Sequence, residues 1–160
     1  MKVIKEVIPY IVIVVVVVLI RTFIITPVRV DGDSMKNTLK NGDILLLYKL
    51  SSIDRFDIIV LDEEKDNEKI IKRVIGLPGE TVAIKKGKIY INDKEIDDEY
   101  AYGETTDYNK VTLRDDEYFI LGDNRLISKD SRYFGPIKEN EIKGKIVFRL
   151  FPFTKIGTVQ

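Results

Sequence analysis

The chemistry open to this chain is limited by two residue types that it lacks. Its 160 residues include no cysteine and no histidine. Without cysteine there is no thiolate nucleophile, no disulfide and no thiolate metal site. Without histidine there is no Ser-His-Asp triad, no imidazole metal ligand and no imidazole proton shuttle. Any catalysis must therefore use Ser, Thr, Tyr, Lys, Arg, Asp or Glu.

The first segment that could do such chemistry is Gly32-Asp33-Ser34-Met35. A serine beside a glycine is commonly only a turn residue. Its hydroxyl becomes a nucleophile when a neighbouring base takes its proton. The segment alone leaves both interpretations open.

The second segment is an apolar run that carries Lys72 and Arg73 between Ile70 and Ile75. Side chains alternate along a strand, so the two basic groups point to opposite faces. If both faces are buried, at least one group must find a partner or lose its proton. The alternative is an edge strand whose charges deter aggregation.

The third segment is dense in Asp, Asn, Ser and Arg. It comprises Gly122-Asp123-Asn124-Arg125, followed by Ser128, Asp130, Ser131, Arg132, Phe134 and Gly135. Such residues form side-chain-to-backbone hydrogen bonds and bidentate ion pairs. The segment is either a polar surface turn or a rigid brace for a catalytic group.

The N-terminal part predicts one membrane helix over residues 7–25, preceded by a short tail, residues 1–6. Arg21 lies near the end of this run, where its guanidinium can extend to the interface. A cleavable signal peptide is the alternative, but the run does not end in small residues. A buried strand would be shorter. Basic residues flank both ends, so they do not decide the orientation. The simpler topology is a single-pass, type II protein with its tail in the cytoplasm and residues 28–160 on the extracytoplasmic face of the cell membrane.

The remaining residues, 28–160, predict a mostly β, antiparallel, sandwich- or barrel-like domain. Short β-branched or aromatic runs bounded by turn residues recur at 43–48, 57–61, 70–75, 82–84, 88–91, 118–121 and 145–150. A hairpin turn is expected at 85–88, an exposed loop at 97–110 and a helical turn at 138–143. The formal net charge of zero argues against a nucleic-acid partner.

Taken together, the three segments resemble the type I signal peptidases. Four elements carry the resemblance: residues 30–43 with Ser34-Met35 and Thr38-Leu39, residues 55–60, Lys72-Arg-Val-Ile-Gly-Leu-Pro-Gly79, and Gly122–Arg125 with Ser128–Gly135. They occur in the family's order from the anchor to about Gly144. Two positions depart from it: Asn37 stands where members usually have Pro, and Gly32 where some have Ser.

The resemblance implies a serine endopeptidase with a Ser/Lys dyad, in which Ser34 is the nucleophile and Lys72 the general base. By analogy, Ser128 would hydrogen-bond the Lys72 amine and Asp130 would pair with Arg73. The backbone N–H of Ser34 would be one oxyanion donor, and the second donor is not assigned. Burial would have to lower the pKa of Lys72, with Ile70, Val74 and Met35 as the apolar wall.

The implied substrates are preproteins whose signal peptides bind extended and are cut after a small-x-small motif. The family's pocket-lining positions fall on Val30, Asp31, Gly32, Met35, Leu39, Leu45, Ile70 and Ile71. The partners are these signal peptides and the lipid bilayer, with no metal and no cofactor. Two alternatives stay open: a self-cleaving repressor-type Ser/Lys peptidase, and a non-enzymatic membrane-anchored β module that binds secreted partners.

Overall fold

The computed structural model describes residues 2–62 and 69–159, and only the backbone of residues 2–5. The first residue of the predicted tail, the last residue of the predicted domain and residues 63–68 thus lie outside the described part.

Within the described residues, the elements follow one another as a long helix and a series of short strands. They are α1 (Lys2–Phe23), β1 (Ile25–Arg29), β2 (Ile44–Tyr48), β3 (Ile58–Asp62), β4 (Lys69–Gly76), β5 (Thr81–Lys85), β6 (Lys88–Ile91), β7 (Lys94–Ile96), β8 (Tyr108–Thr112), β9 (Glu117–Leu121), α2 (Ser131–Phe134), β10 (Ile137–Lys138), a 3-10 turn (Glu139–Glu141), β11 (Ile142–Phe151), a second 3-10 turn (Phe153–Lys155) and β12 (Gly157–Thr158). The mostly β prediction, with an N-terminal apolar helix, is confirmed.

Helix α1 is long and apolar enough to cross a membrane over Glu6–Phe23. Within the described part of the chain, its apolar side chains from Val7 to Ile20 are exposed. The helix begins before the predicted anchor and ends at Phe23, because Ile25 already belongs to the first strand.

The junction between α1 and β1 contains no flexible linker. Lys49 Nζ donates to the carbonyl of Thr22 at 2.7 Å, and Thr26 Oγ1 donates to the carbonyl of Arg21 at 2.9 Å. These bonds satisfy carbonyls in the last turn of the helix, which have no partner within it. The backbone N–H of Lys49 also donates to the carbonyl of Ile24 at 3.0 Å. The sheet therefore begins directly where the helix ends.

The strands form two antiparallel sheets. The main sheet has the order β1-β2-β11-β3-β4-β9-β10, with β12 paired to β11, and the small sheet has the order β7-β6-β5-β8. Pro27 has no backbone N–H, which suits its position in the edge strand β1. Strand β4, which carries Lys72 and Arg73, is central because β3 and β9 flank it. The edge-strand alternative for these two charges is therefore wrong.

Alternation along the central strands divides the apolar residues among three cores. Core 1 is Val28, Val30, Met35, Leu39, Leu45, Leu47, Ile58, Val60, Ile71 and Ile146. Core 2 joins the two sheets through Ile75, Val82, Ile84, Ile89, Ile91, Leu113, Phe119 and Leu121. Core 3 is Ile59, Leu61, Val74, Tyr118, Ile120 and Ile137. Both faces of β4 are therefore buried, although the strand carries Lys72 and Arg73 at its centre.

The predicted hairpin turn between β5 and β6 is confirmed, whereas the other loop and turn predictions hold only in part. Lys86 and Gly87 both have positive φ, as a two-residue hairpin between β5 and β6 requires. The expected loop 97–110 is wrong at its end, because Tyr108 begins β8 and pairs with Ile84. The helical turn expected at 138–143 is limited to the 3-10 turn at Glu139–Glu141. The single-turn helix α2 was not predicted.

A partly buried ion pair joins the turn before β3 to the turn before β5. Arg55 donates to both carboxylate oxygens of Glu80, at 2.6 and 2.9 Å, and to the carbonyl of Ile75 at 2.6 Å. Burial acts to raise the pKa of Glu80, but the hydrogen bonds from Arg55 and from the N–H of Leu77 outweigh it and leave the pKa below its ordinary value. The carboxylate is therefore stabilised in its charged form.

We predict that Glu80→Gln lowers the free energy of unfolding at neutral pH by about 1–2 kcal/mol, because charge-assisted bonds to Arg55 are lost. A lowered folded-state pKa contributes stability above the unfolded-state pKa, and that contribution disappears as pH falls through the folded value. The difference between Glu80→Gln and the unmodified protein should thus vanish in acid. Denaturant unfolding in detergent at several pH values measures it.

The matched control is Asp93→Asn, which breaks the exposed Asp93–Lys110 pair and should change stability little. A Glu80→Gln effect that persists below the folded-state pKa would contradict the assignment.

Candidate active site

The loop that carries Ser34 leaves β1 and returns to β2 as a tight, anchored segment. Val30 and Asp43 are joined by a backbone hydrogen bond of 2.9 Å, which closes the loop at its base. Within it the carbonyl of Met35 accepts from the N–H of Leu39 at 2.8 Å. Met35 and Leu39 are each only 1% exposed in core 1. These two buried side chains hold the loop in place while Ser34 stays partly exposed.

Lys72 lies in the middle of the central strand β4 and is 3% exposed. Its Nζ is 2.9 Å from Ser34 Oγ and 3.1 Å from the carbonyl oxygen of Ile71. Across the ladder it pairs with Ile59, which is fully buried, and Val74 follows on the same face. The structure therefore brings Ser34 and Lys72, 38 positions apart, into direct hydrogen-bond contact within a largely apolar setting.

This contact has the geometry for proton transfer. A hydroxyl and an amine at 2.9 Å are within the reach that general acid–base catalysis needs. A charged ammonium can only donate to Oγ, whereas a neutral amine can accept the hydroxyl proton. Burial of a lysine disfavours its ammonium form, and Lys72 is buried.

The charge next to Lys72 is compensated by a different partner from the one expected. Arg73 donates from Nε and Nη2 to the two carboxylate oxygens of Asp123, both at 2.8 Å, and both side chains are fully buried. The predicted pairing of Arg73 with Asp130 is therefore wrong. Arg73 faces Leu121 on β9, and alternation returns the same face to Asp123 two residues later. That register could have identified the correct partner.

The Arg73–Asp123 pair also holds the loop that carries Ser34. Thr38 Oγ1 donates to Asp123 at 2.5 Å and accepts from Arg73 Nη2 at 3.0 Å. Arg73 Nη1 donates to the carbonyl of Phe56 at 2.8 Å. The guanidinium thus connects β4, the end of β9, the Ser34 loop and the turn before β3.

Asp130 has a different role. Its carboxylate accepts from Arg132 Nε and Nη2, at 2.8 and 2.9 Å, and from the N–H of Gly122 at 3.0 Å. It is also the N-cap of α2. Asp130 therefore fixes the backbone just after β9 rather than β4.

Ser128 lies next to Gly122 and does not make the expected bond. It is 2% exposed, and its Oγ has no hydrogen-bond partner among the described residues. The predicted bond from Ser128 to the Lys72 amine is thus absent. The hydroxyl instead lies against Gly122, where an added Cβ would overlap it and would come within 2.7 Å of the Ser34 carbonyl oxygen.

Asn124 fixes the backbone of Ser34 and was not assigned a role from the sequence. Its N–H donates to the carbonyl of Ser34 at 2.9 Å, and its Nδ2 donates to the carbonyl of Asp33 at 3.2 Å. It was noted only as part of a polar segment, because no local pattern reveals contacts 90 positions away.

The predicted pocket residues separate into three groups. Val30, Met35, Leu39, Leu45 and Ile71 come together in core 1. Ile70 packs against core 3 on the opposite face, because it neighbours Ile71 along the strand. Asp31 and Gly32 are exposed in the loop that leads to Ser34, with Gly32 at a positive φ of 82°.

Comparisons with known proteins agree on one family. The family described as signal peptidase, peptidase S26, matches residues 3–151. Signal peptidase I of Bacillus caldolyticus is 42% identical, with the alignment covering 93% of this chain and 92% of that one. Signal peptidase I of Streptococcus pneumoniae serotype 4 is 38% identical over 86% and 88% of the two chains. Signal peptidase IB of Staphylococcus aureus strain Mu50 is 35% identical over 88% and 85%.

A solved structure is also similar to this chain. The crystal structure of a signal peptidase I from Enterococcus faecalis V583 superimposes with a TM-score of 0.53 at 34% sequence identity. The superposition covers 59% of this chain and 97% of the Enterococcus faecalis chain.

We predict that Gly122→Ala reduces peptidase activity by more than tenfold. The new methyl group meets Ser128 Oγ and the Ser34 carbonyl, so the nucleophile or its surroundings must shift. A displacement of about 1 Å can reduce a rate about 100-fold. Initial rates on a peptide substrate, with melting temperature measured in parallel, test this.

Gly76→Ala is the matched control. A Cβ there meets Val82, Leu113 and Phe119 in core 2, away from Ser34. It should destabilise the protein by about 1–3 kcal/mol yet leave the rate of the folded protein near normal. Equal loss of activity in both variants would show that Gly122 matters only for folding.

Proposed function

This chain belongs to the signal peptidase family, peptidase S26, and we propose how its own residues remove signal peptides. Membership makes it a serine peptidase acting on preproteins that carry signal peptides. The observation that supports our assignment most directly is the 2.9 Å contact between Lys72 Nζ and Ser34 Oγ.

In the proposed mechanism, Ser34 is the nucleophile and Lys72 the general base. Neutral Lys72 takes the hydroxyl proton as Oγ attacks the scissile carbonyl, forming a tetrahedral intermediate. The backbone N–H of Ser34 stabilises the oxyanion. The ammonium then gives its proton to the leaving amine, and water hydrolyses the acyl-enzyme in a second step through the same base.

Because Lys72 must be neutral before each attack, the rate of the reaction depends on pH. Because burial disfavours the ammonium, we expect the pKa of Lys72 to lie below the ordinary lysine value. The rate should therefore rise with pH as the free enzyme loses this proton. In the described residues the buried position of β4, between β3 and β9, supports this lowering.

Four buried residues support the dyad in this proposal and do not contact the substrate. They are Arg73, Asp123, Ser128 and Asp130. The Arg73–Asp123 pair fixes β4 and the Ser34 loop, and Asp130 fixes Gly122. Ser128 lies next to Gly122 with its hydroxyl buried.

For the substrate, we propose an extended peptide with a small-x-small pattern before the cut. Val30, Met35, Leu39, Leu45 and Ile71 form one apolar cluster beside the nucleophile loop. These side chains are 0–6% exposed, which leaves room only for shallow pockets and small substrate side chains. Ile70, on the other face, is not part of this proposed pocket.

We further propose that α1 crosses the bilayer and that the β domain faces the extracytoplasmic side. The helix offers 18 apolar-rich residues, or roughly 27 Å at about 1.5 Å per residue, which matches a hydrocarbon core of about 30 Å. Its exposed apolar surface requires lipid or an equivalent cover.

Two other functions were open from the sequence alone. The match to signal peptidases extends from residue 3 through the apolar helix, which does not favour a repressor-type peptidase. A purely binding module would not need a buried lysine against a serine hydroxyl.

We predict that Ser34→Ala and Lys72→Ala each reduce cleavage of a preprotein by at least 1,000-fold, on the order of the loss typical for members of a catalytic unit. Lys72→Arg should fail equally, because a guanidinium cannot lose its proton at a useful pH. Cleavage of a radiolabelled preprotein in detergent, followed on gels, measures this.

The controls are Ser52→Ala and Lys85→Ala, which remove an exposed hydroxyl and an exposed amine. Both should cleave at the normal rate. Near-normal turnover by folded Ser34→Ala or Lys72→Ala would reject the dyad.

We also predict that protease added to intact spheroplasts digests the β domain. The expected product is a protected fragment that contains α1 and the short tail. A fully protected β domain would reverse the proposed topology without bearing on the dyad.

A further inference from the structure

The segment 98–105, which we call the strap, is bound across the backbone that follows β9. The N–H of Tyr102 donates to the carbonyl of Asp123 at 2.7 Å, and the N–H of Arg125 donates to the carbonyl of Tyr102 at 2.9 Å. The buried Arg125 side chain then pairs with Asp98 and donates to Thr105 Oγ1. The strap is thus fixed along its length to residues 123–125.

Tyr100, in the middle of the strap, covers the guanidinium of Arg73. The Arg73 Cζ atom lies 3.6 Å from the centroid of the Tyr100 ring, well within cation–π distance. The Phe56 ring packs against the same tyrosine, with ring centroids 5.5 Å apart. Arg73 is fully buried although Tyr100 itself is only half-buried, so the ring is part of what excludes solvent from the ion pair.

Tyr100 also contacts the loop of the nucleophile. Asn37 Nδ2 donates to the Tyr100 carbonyl at 3.1 Å, and Asn37 lies three residues after Ser34. This bond depends on an amide side chain. A proline at position 37 has no donor and could not form it.

We propose that Tyr100 is a positioning residue for the dyad, which acts by shielding the Arg73–Asp123 pair and by holding the Ser34 loop through Asn37. The proposal rests on the Ser34/Lys72 mechanism and names a residue outside it. Its ring lies over the neighbour of Lys72 on β4, and its carbonyl holds the loop of Ser34. One residue therefore supports both halves of the dyad.

Loss of the ring has a definite consequence for Lys72. Without it, water reaches the Arg73–Asp123 pair, and the contact between β4 and residues 121–123 loosens. A Cβ on Gly122, in that stretch, would come within 2.7 Å of the Ser34 carbonyl oxygen, so we expect the loosening to reach the Ser34 loop and to increase the hydration of Lys72. A more hydrated Lys72 keeps its proton to a higher pH.

The groups that face this region come from every surrounding element. Arg73 and Lys72 lie on β4, Asp123 follows β9, and Tyr100 is on the strap. Asp33 contributes its carbonyl to Asn124 from the nucleophile loop, and Asp130 binds the N–H of Gly122. Lys145 on β11 lies opposite Ile59, the neighbour of Lys72 on β3, and is paired with Asp57. Arg73 and Asp130 also have ion-pair partners, so the change expected in the profile is assigned to Lys72.

The experiment compares pH profiles of kcat/KM for the full-length protein in detergent with a short peptide substrate. In Tyr100→Leu we expect the rising limb to move about one pH unit to higher pH, so that activity below the limb falls about tenfold. Activities at high pH should converge. Tyr100→Phe retains the ring and should superimpose on the unmodified protein.

The matched control is Tyr90→Leu, which removes another tyrosine placed over a cation, Lys85, on the small sheet. It should leave the profile unchanged. A lower melting temperature for Tyr100→Leu with an unshifted limb would overturn the proposal, because a merely structural role predicts that result.

Two further variants keep the test decisive. If Tyr100→Leu does not fold, Asn37→Ala removes only the bond to the Tyr100 carbonyl, and it should shift the limb in the same direction by a smaller amount. An unshifted Asn37→Ala would then overturn the proposal. Ser34→Ala in the same assay separates the two hypotheses, since its activity reports on the dyad and not on Tyr100.

Discussion

The buried ion pair between Arg73 and Asp123 is the interaction on which most of the site depends. Four hydrogen bonds leave the guanidinium, to both oxygens of Asp123, to Thr38 and to the carbonyl of Phe56. Removing one partner of such a pair costs about 3–5 kcal/mol, because the other charge remains buried alone. The pair also has a geometric effect. The planar guanidinium of Arg73, on β4, binds the end of β9 and the Ser34 loop in a fixed arrangement.

Lys72 and Arg73 show how one strand can carry two buried cations for opposite purposes. Arg73 faces the Asp123 carboxylate at 2.8 Å, which makes it a fixed structural group. Lys72, on the other face, meets a serine hydroxyl and a carbonyl, beside Ile59 and Val74. Because side chains alternate along β4, the Asp123 carboxylate that compensates Arg73 lies on the opposite face of the strand from Lys72.

The sequence predicted the strands well and the polar contacts poorly, for physical reasons. Runs such as Ile58–Leu61 are β-branched and bounded by turn residues, so local propensity and burial agree. The partner of Arg73 is a question of register between β4 and β9, which no local pattern specifies. Tyr100 was assigned to an exposed loop because the segment around it is polar and acidic. Its ring nevertheless packs over the guanidinium of the buried Arg73. Ser34 and Lys72 could be proposed because the absence of histidine and cysteine leaves few other nucleophile–base pairs, and because the motifs around them are long.

In the proposed topology, the direct junction of α1 with β1 places the sheet next to the membrane surface. With the carbonyl of Thr22 bound to Lys49 and β1 starting at Ile25, no flexible segment separates the helix from the sheet. Strand β1 rises about 3.3 Å per residue, so its five residues span roughly 16 Å before the loop of Ser34 begins. The height at which a peptide bond can be cut is then set by the sheet and by the tilt of the helix. Bilayer thickness, which changes helix tilt, becomes a variable that acts on the position of the nucleophile.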